Sequence, residues 1–201
     1  MGRGGRCNNN VDKGGLSKLI NLTNGITADG GLKMKEDKAV DLRLKNTWEV
    51  VCKGSDGQEK WRELHDNLIV TVGLNDLLDK YFKGSGYTAA WYIGLKSTGT
   101  ALAADTMASH SSWAVNATYS ESVRQTLTLG TPSAGSVDNS ASKATFSING
   151  STTIFGAFLT TSNTKSGTAG TLYGVVDFGS SRAVISGDTL EITVTLTAAS
   201  A

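Results

Sequence analysis

A chain of 201 residues is long enough to bury one full core with an appended segment. Lys and Arg total 19 against 18 Asp and Glu, a formal net charge of +1, so no overall field recruits nucleic acid or an anionic membrane. Two cysteines, Cys7 and Cys52, do not make a disulfide framework and fit folding in a reducing cytoplasm. Charge is uneven along the chain. Residues 1–65 hold twelve basic and nine acidic residues, net +3, and residues 66–201 hold seven and nine, net −2. No stretch approaches the ~20 apolar residues of a membrane span. Residues 1–10 have no apolar run after their arginines, so a signal peptide is not expected.

Residues 1–38 read as an extended N-terminal arm. They are rich in Gly, Asn, Arg and Lys, and within them Leu16, Leu19 and Ile20 stand at helical spacing, with Leu22 following, in a run too short to be stable alone. Ordered structure is expected over 39–201. The runs 48–53 and 58–64 flank Gly54-Ser55-Asp56-Gly57, the strongest hairpin signal in the chain, and predict a hairpin over 48–64 in which Trp48, Val50 and Cys52 share a face that Trp61 covers. One helix is predicted over about 72–83. Thr71 stands ready to cap it, Leu74, Leu77, Leu78 and Tyr81 form an apolar stripe that should pack on a sheet, and Gly84 suits the left-handed position past its end.

Beyond Tyr87 short apolar runs alternate with turn clusters. Strands are predicted at 90–95, 124–129, 143–148, 153–160, 172–178 and 189–197, with a helical turn at 105–110 and a long turn at 133–142. In the last strand Leu190, Ile192, Val194 and Leu196 alternate with Glu191, Thr193, Thr195 and Thr197, which gives one buried and one polar face. The runs at 90–95 and 153–159 are apolar on both faces and should lie centrally or beneath the helix. The whole reads as mainly β: a β-sandwich or jelly-roll-like domain with one packed α-helix and an extended N-terminal arm.

Little in the chain carries chemistry. His65 and His110 have no second ligand at metal spacing. Asp105, Ser109 and His110 lie close in sequence, without a Gly-x-Ser-x-Gly elbow to make them a catalytic group. Asp76 and Asp79 sit on the polar side of the helix, where solvated charge is the default reading, and the glycine-rich stretches lack the lysine and following helix of a phosphate loop. Catalytic residues, cofactor and metal are therefore all expected to be none. Trp48, Trp61, Trp91 and Trp113 read either as core aromatics or as interface anchors, and Trp113, after the polar run 109–112, is the one expected to be partly exposed. Arg3 and Arg6 read either as contacts to nucleic acid or an acidic surface, or equally as solubilising charge.

The string 104–113 (ADTMASHSSW), followed by Tyr119-Ser120, Arg124 and the run 136–144 (SVDNSASKA) with Phe146, resembles a family of tailed-bacteriophage virion proteins. So do 67–75 (NLIVTVGLN), 156–159 (GAFL), 170–174 (GTLYG) and 186–190 (SGDTL), so the likeness covers about residues 46–198. The resemblance implies a structural protein encoded among head and tail genes, made in the host cytoplasm and carried in the virion. Of the positions in the particle, a capsid decoration or cement role fits best, with a β-domain on the outer capsid surface held to the major capsid protein through its arm. Leu16, Leu19, Ile20, Leu22, Arg3, Arg6 and Trp113 are then the candidate contacts to the capsid or between subunits, in a homodimer or homotrimer. A small-molecule substrate, a membrane and specific nucleic acid are not expected. A tail, neck or fibre protein that binds a host or tail partner is the structural alternative. A virion glycan hydrolase is the enzymatic one, and it lacks a candidate acid pair.

Overall fold

The computed structural model describes residues 42–87 and 90–200, so the predicted arm with Leu16, Leu19, Ile20, Leu22, Arg3 and Arg6 lies outside the described residues. The described chain folds into two antiparallel sheets, in agreement with the mainly β expectation. One sheet is built around β1 (Leu42–Lys53) and β11 (Thr189–Ser200), with β2 (Glu59–Asp66) on the outer side of β1 and both β7 (Ser136–Asp138) and β8 (Ala144–Ser147) along the free side of β11. The second sheet runs β3 (Leu68–Ile69), β10 (Leu172–Val184), β9 (Thr152–Thr160), β4 (Tyr92–Gly99), β5 (Trp113–Asn116), and β6 (Gln125–Thr126) also pairs with β4.

Strict alternation sets the register of the first sheet. A slip of one residue would turn every inward side chain outward. β1 and β11 pair without interruption from Leu42 opposite Ser200 to Lys53 opposite Thr189. This places Trp48 against Val194, Val50 against Ile192 and Cys52 against Leu190, all buried. Phe146 pairs with Leu190 from the other side. Ile93, Leu95, Ile154, Ala157, Leu159, Val176, Phe178 and Val184 of the second sheet complete this core, and Trp61 closes its edge as the hairpin signal predicted. On the opposite face, Glu191 lies 2.6 Å from Lys53 and 3.5 Å from Lys143, and Arg62 pairs with Glu49 and Glu59. Half-exposed pairs of this kind contribute little to stability.

β11 carries two short partners on one edge, and Asn139 fills the interval between them. Its amide nitrogen donates to Ile192 O at 3.1 Å, and its side-chain oxygen accepts from Val194 N at 2.6 Å. One buried side chain thus stands in for a missing strand residue.

A second, smaller core covers the far face of the second sheet: Val70, Met107, Trp113, Phe158, Leu172 and Val175. Phe158 lies flat over Gly94, whose position has no room for a side chain because a Cβ would come within 2.2 Å of the ring. Arg124 covers the same ring at 4.9 Å and is itself buried, giving its Nη1 and Nη2 to the carbonyls of Ser162 (3.0 Å) and Gly167 (2.6 Å). That inward turn explains why the strand predicted over 124–129 shortens to Gln125–Thr126.

Other boundaries shift for local reasons. β10 continues past Phe178 to Val184, because a bulge between Asp177 and Arg182 absorbs the Gly-Ser-Ser stretch without ending the pairing. β3, β5 and β7 are too short for a periodicity to show. The region 105–110 is no helix but a turn in which Thr106 and Ser109 exchange backbone hydrogen bonds.

Replacing Asn139 with Ala leaves Ile192 O and Val194 N buried without partners. We expect a loss of about 3 kcal/mol at unchanged m-value in urea unfolding. A loss below about 0.5 kcal/mol, the range of an ordinary surface change, would contradict the strand-filling role.

Candidate interaction surface

The single α-helix of the described residues, α1, spans Thr71–Tyr81. Its first residue is Thr71, expected as a cap; the cap position falls to buried Val70, which makes no side-chain cap hydrogen bond. Thr71 N donates instead to Ala103 O at 2.8 Å, so a carbonyl from the 100–112 loop satisfies one of the amides that a helix start leaves open. At the other end Gly84 adopts φ +76°, the left-handed conformation its sequence position predicts.

α1 packs on β10, but not through its apolar stripe. The only buried helix residue is Gly73, and a Cβ there would lie 2.3 Å from Tyr173 O and 2.8 Å from Tyr173 Cα. Backbone meets backbone at this point, which fixes the rotation of the helix about its axis. The consequence corrects the sequence reading: Leu74 is 40 % exposed, Leu78 54 % and Tyr81 78 %, and Phe82 after the helix is 69 % exposed. Leu77 of the predicted stripe turns inward and, with the rim of the largely exposed Tyr81, lines a cleft of about 360 Å³ between α1 and the open end of the sandwich. Trp91, Leu127, Leu159, Tyr173 and Leu196 form much of the wall, and Asp76 and Lys80 are its charged members. Trp91 sits edge-on to Tyr173 at 5.5 Å and donates its Nε1 hydrogen to Tyr87 Oη at 2.7 Å. Of the eleven large apolar side chains exposed among the described residues, Leu74, Leu78, Tyr81, Phe82 and Tyr87 fall on this one segment, so it is the apolar face of the domain.

Trp113 is not part of any exposed surface. Expected to be partly exposed, it is 4 % exposed, with Nε1 donating to Asp105 Oδ2 at 3.0 Å and His110 stacked on it at 4.0 Å. The polar run before Trp113 misled because its imidazole stacks on the ring and its Ser112 hydroxyl reaches the carboxylate that holds the indole. Asp105 also accepts from Leu102 N at 2.8 Å, and His110 Nδ1 lies against Trp113 O at 3.2 Å. The carboxylate therefore anchors a loop and an indole, and the imidazole faces a carbonyl.

The remaining buried polar groups serve the fold in the same way. Lys96, with no exposed surface, forms an ion pair with Asp177 at 2.5 Å and lies 4.6 Å over the Phe155 ring. Burial pulls its ammonium below the ordinary value, and Asp177 opposes that pull. Asp177 Oδ2 accepts from Ala101 N at 2.8 Å, which ties the 100–112 loop to β10. The Cys52 thiol is pushed up to about 11, by burial first and then by Asp188, so it is a poor nucleophile at neutral pH. His65 hydrogen-bonds Glu63 at 2.5 Å and stacks on Phe178. Among the described residues no group of three or more His, Cys, Asp or Glu is placed to hold a metal ion.

The exposed helix face and the cleft were missed in the sequence because an apolar stripe at helical spacing ordinarily faces a core. Gly73, a flexible residue inside a helix, is the signal that points elsewhere. The chain matches no protein-family model, and no curated protein matches it.

Ala at position 73 would add up to about 1 kcal/mol of helix propensity, and an unrelieved clash with a backbone carbonyl costs about 1–3 kcal/mol. The clash should win. Gly73→Ala is expected to lower unfolding stability by about 1–2 kcal/mol in chemical denaturation, and equal or higher stability would show that α1 does not depend on this contact.

Proposed function

We propose that this chain is a structural protein of a tailed-phage particle that works by surface association and not by catalysis, as a decoration or cement protein on the capsid. The observation that carries the reading is the exposed apolar face of α1 on a domain whose buried charged groups are engaged in holding loops and strands. Surfaces of that kind on a soluble β-scaffold mark places where another macromolecule is bound. The likeness of residues 46–198 to virion proteins supplies the setting. On a symmetric shell many weak contacts add up, so a small domain stabilises capsomer boundaries by avidity. The arm over 1–38 would contribute the attachment to the major capsid protein, ordering as it binds.

Copy number tests this directly. Quantitative gel staining of purified particles should give copies in proportion to the major capsid protein, as symmetric occupancy requires. A dozen or fewer per particle would overturn the decoration role and favour a tail or neck position.

The arm has its own test. Deleting residues 1–38 should leave a domain with native circular dichroism and unfolding, since β1 and its register with β11 begin at Leu42. Its binding to capsids that lack this protein should fall in co-sedimentation by about tenfold or more, the loss of roughly one hot-spot contact. Undiminished binding would remove the arm from the capsid contact.

A further inference from the structure

We propose that the open end of the sandwich is a binding site for a small neutral amphiphile, an apolar chain bearing one carbonyl acceptor, with the chain in the cleft beside α1 and the carbonyl at Asn46. The site is separate from the exposed outer side of α1 and goes beyond the association reading above.

Alternation along β1 sends Leu44, Asn46, Trp48 and Val50 to the inner face of their sheet. Asn46 is thus an amide where apolar side chains otherwise stand, and it is 2 % exposed. Its Nδ2 has no hydrogen-bond partner among the described residues. The amide lies beside the Tyr173 phenol, near enough to oppose the upward push that burial gives that group, yet outside hydrogen-bond geometry. Nδ2 carries two hydrogens, so a turn toward Tyr173 would still leave one without an acceptor. A buried donor left open costs stability, which an incoming acceptor recovers.

Asn46 lines a hollow of about 180 Å³ together with Leu44, Ser136, Val137 and Thr197. The cleft of about 360 Å³ beside α1 adjoins it, because Tyr173 and Leu196 are walls of both. The larger volume lies in the range of pockets that take small molecules. The two differ in character. Leu77, Trp91, Leu127, Leu129 and Leu159 make the cleft apolar, and Trp91 keeps its one polar hydrogen on Tyr87 Oη. The smaller hollow holds the polar groups: Asn46, with Ser136 and Thr197, whose hydroxyls face each other at 3.4 Å. An amphiphile matches this order, chain on the apolar side and acceptor on the other. Water can meet the amide but gains nothing from the apolar walls. Charge sets the class of the head group. The only charged residues lining either hollow are Asp76 and Lys80, opposite in sign and one turn apart on α1. They offset one another, and Lys80 already donates to Gly86 O at 3.2 Å, so neither a carboxylate nor an ammonium finds a counter-charge of its own. A neutral carbonyl is the acceptor that remains.

The test uses the full 201-residue chain and methyl octanoate, with nonane and octanoate as comparisons. Titration calorimetry should show one saturable site for the ester and weaker binding of octanoate. Headspace partition then gives the ratio of ester to nonane binding. Asn46→Leu removes the amide and keeps an apolar side chain of similar size, so native circular dichroism should persist while that ratio falls by about tenfold or more, the worth of one buried hydrogen bond. Leu77→Trp fills the cleft and should weaken both ester and nonane by about tenfold or more. Should Leu77→Trp fail to fold, Asn46→Leu still decides. An ester that does not saturate the wild-type chain overturns the proposal, as does octanoate binding more tightly than the ester, a folded Leu77→Trp chain with undiminished binding, or an Asn46→Leu chain whose ratio of ester to nonane is unchanged.

Discussion

The pairing of β1 with β11 is the constraint on which the rest of the structure depends. It is the longest uninterrupted ladder in the domain, it supplies Trp48, Val50, Cys52, Leu190, Ile192 and Val194 to the core, and every other strand of its sheet is attached to one of the two. Because alternation allows only one register, the second sheet meets a wall whose side chains are already placed. Asn139 and the turn that carries the chain from β10 of the second sheet into β11 then complete β11. Asp188 at that turn accepts from Ile185 N and from Lys60 Nζ of β2, so the far end of the ladder is tied to both neighbours.

Against that regular sheet, the exposed apolar face arises from an irregularity. A helix that packed through Leu74, Leu78 and Tyr81 would bury its stripe and expose no apolar face. Gly73 lets the helix approach Tyr173 at backbone distance, and the rotation this imposes turns the stripe away from the sheet. Local packing and surface chemistry are linked through one missing Cβ. The scaffold keeps an exposed apolar surface without losing order because the anchoring residues and the exposed ones lie on different sides of the same helix.

What the sequence showed and what it hid divide along the same line. Period-two runs such as Leu190, Ile192, Val194 and the hairpin around Gly54-Ser55-Asp56-Gly57 were legible, since a half-buried strand writes its two faces into alternate residues. Strands of two to four residues, such as β3, β5 and β7, carry too few residues for a period. The helix was legible in extent, but its orientation was not, because periodicity reports that a stripe exists and says nothing about what it faces. Trp113 failed for the converse reason: polar neighbours in sequence became its cover in space, through Asp105 and His110. The arm's residues, Leu16 to Leu22 with Arg3 and Arg6, lie outside the described structure, and their part in binding stands on sequence.

The start of α1 has a wider meaning. With Val70 offering no side-chain cap, the first helical amide depends on Ala103, a carbonyl in a loop that is itself pinned by Asp105 to Trp113 and by Asp177 to Ala101. Helix and loop are therefore linked: opening the loop strips the first helical amide of its partner. A partner that covered the exposed side of α1 would bias the 100–112 loop toward order through that bond, so that the two would be felt together.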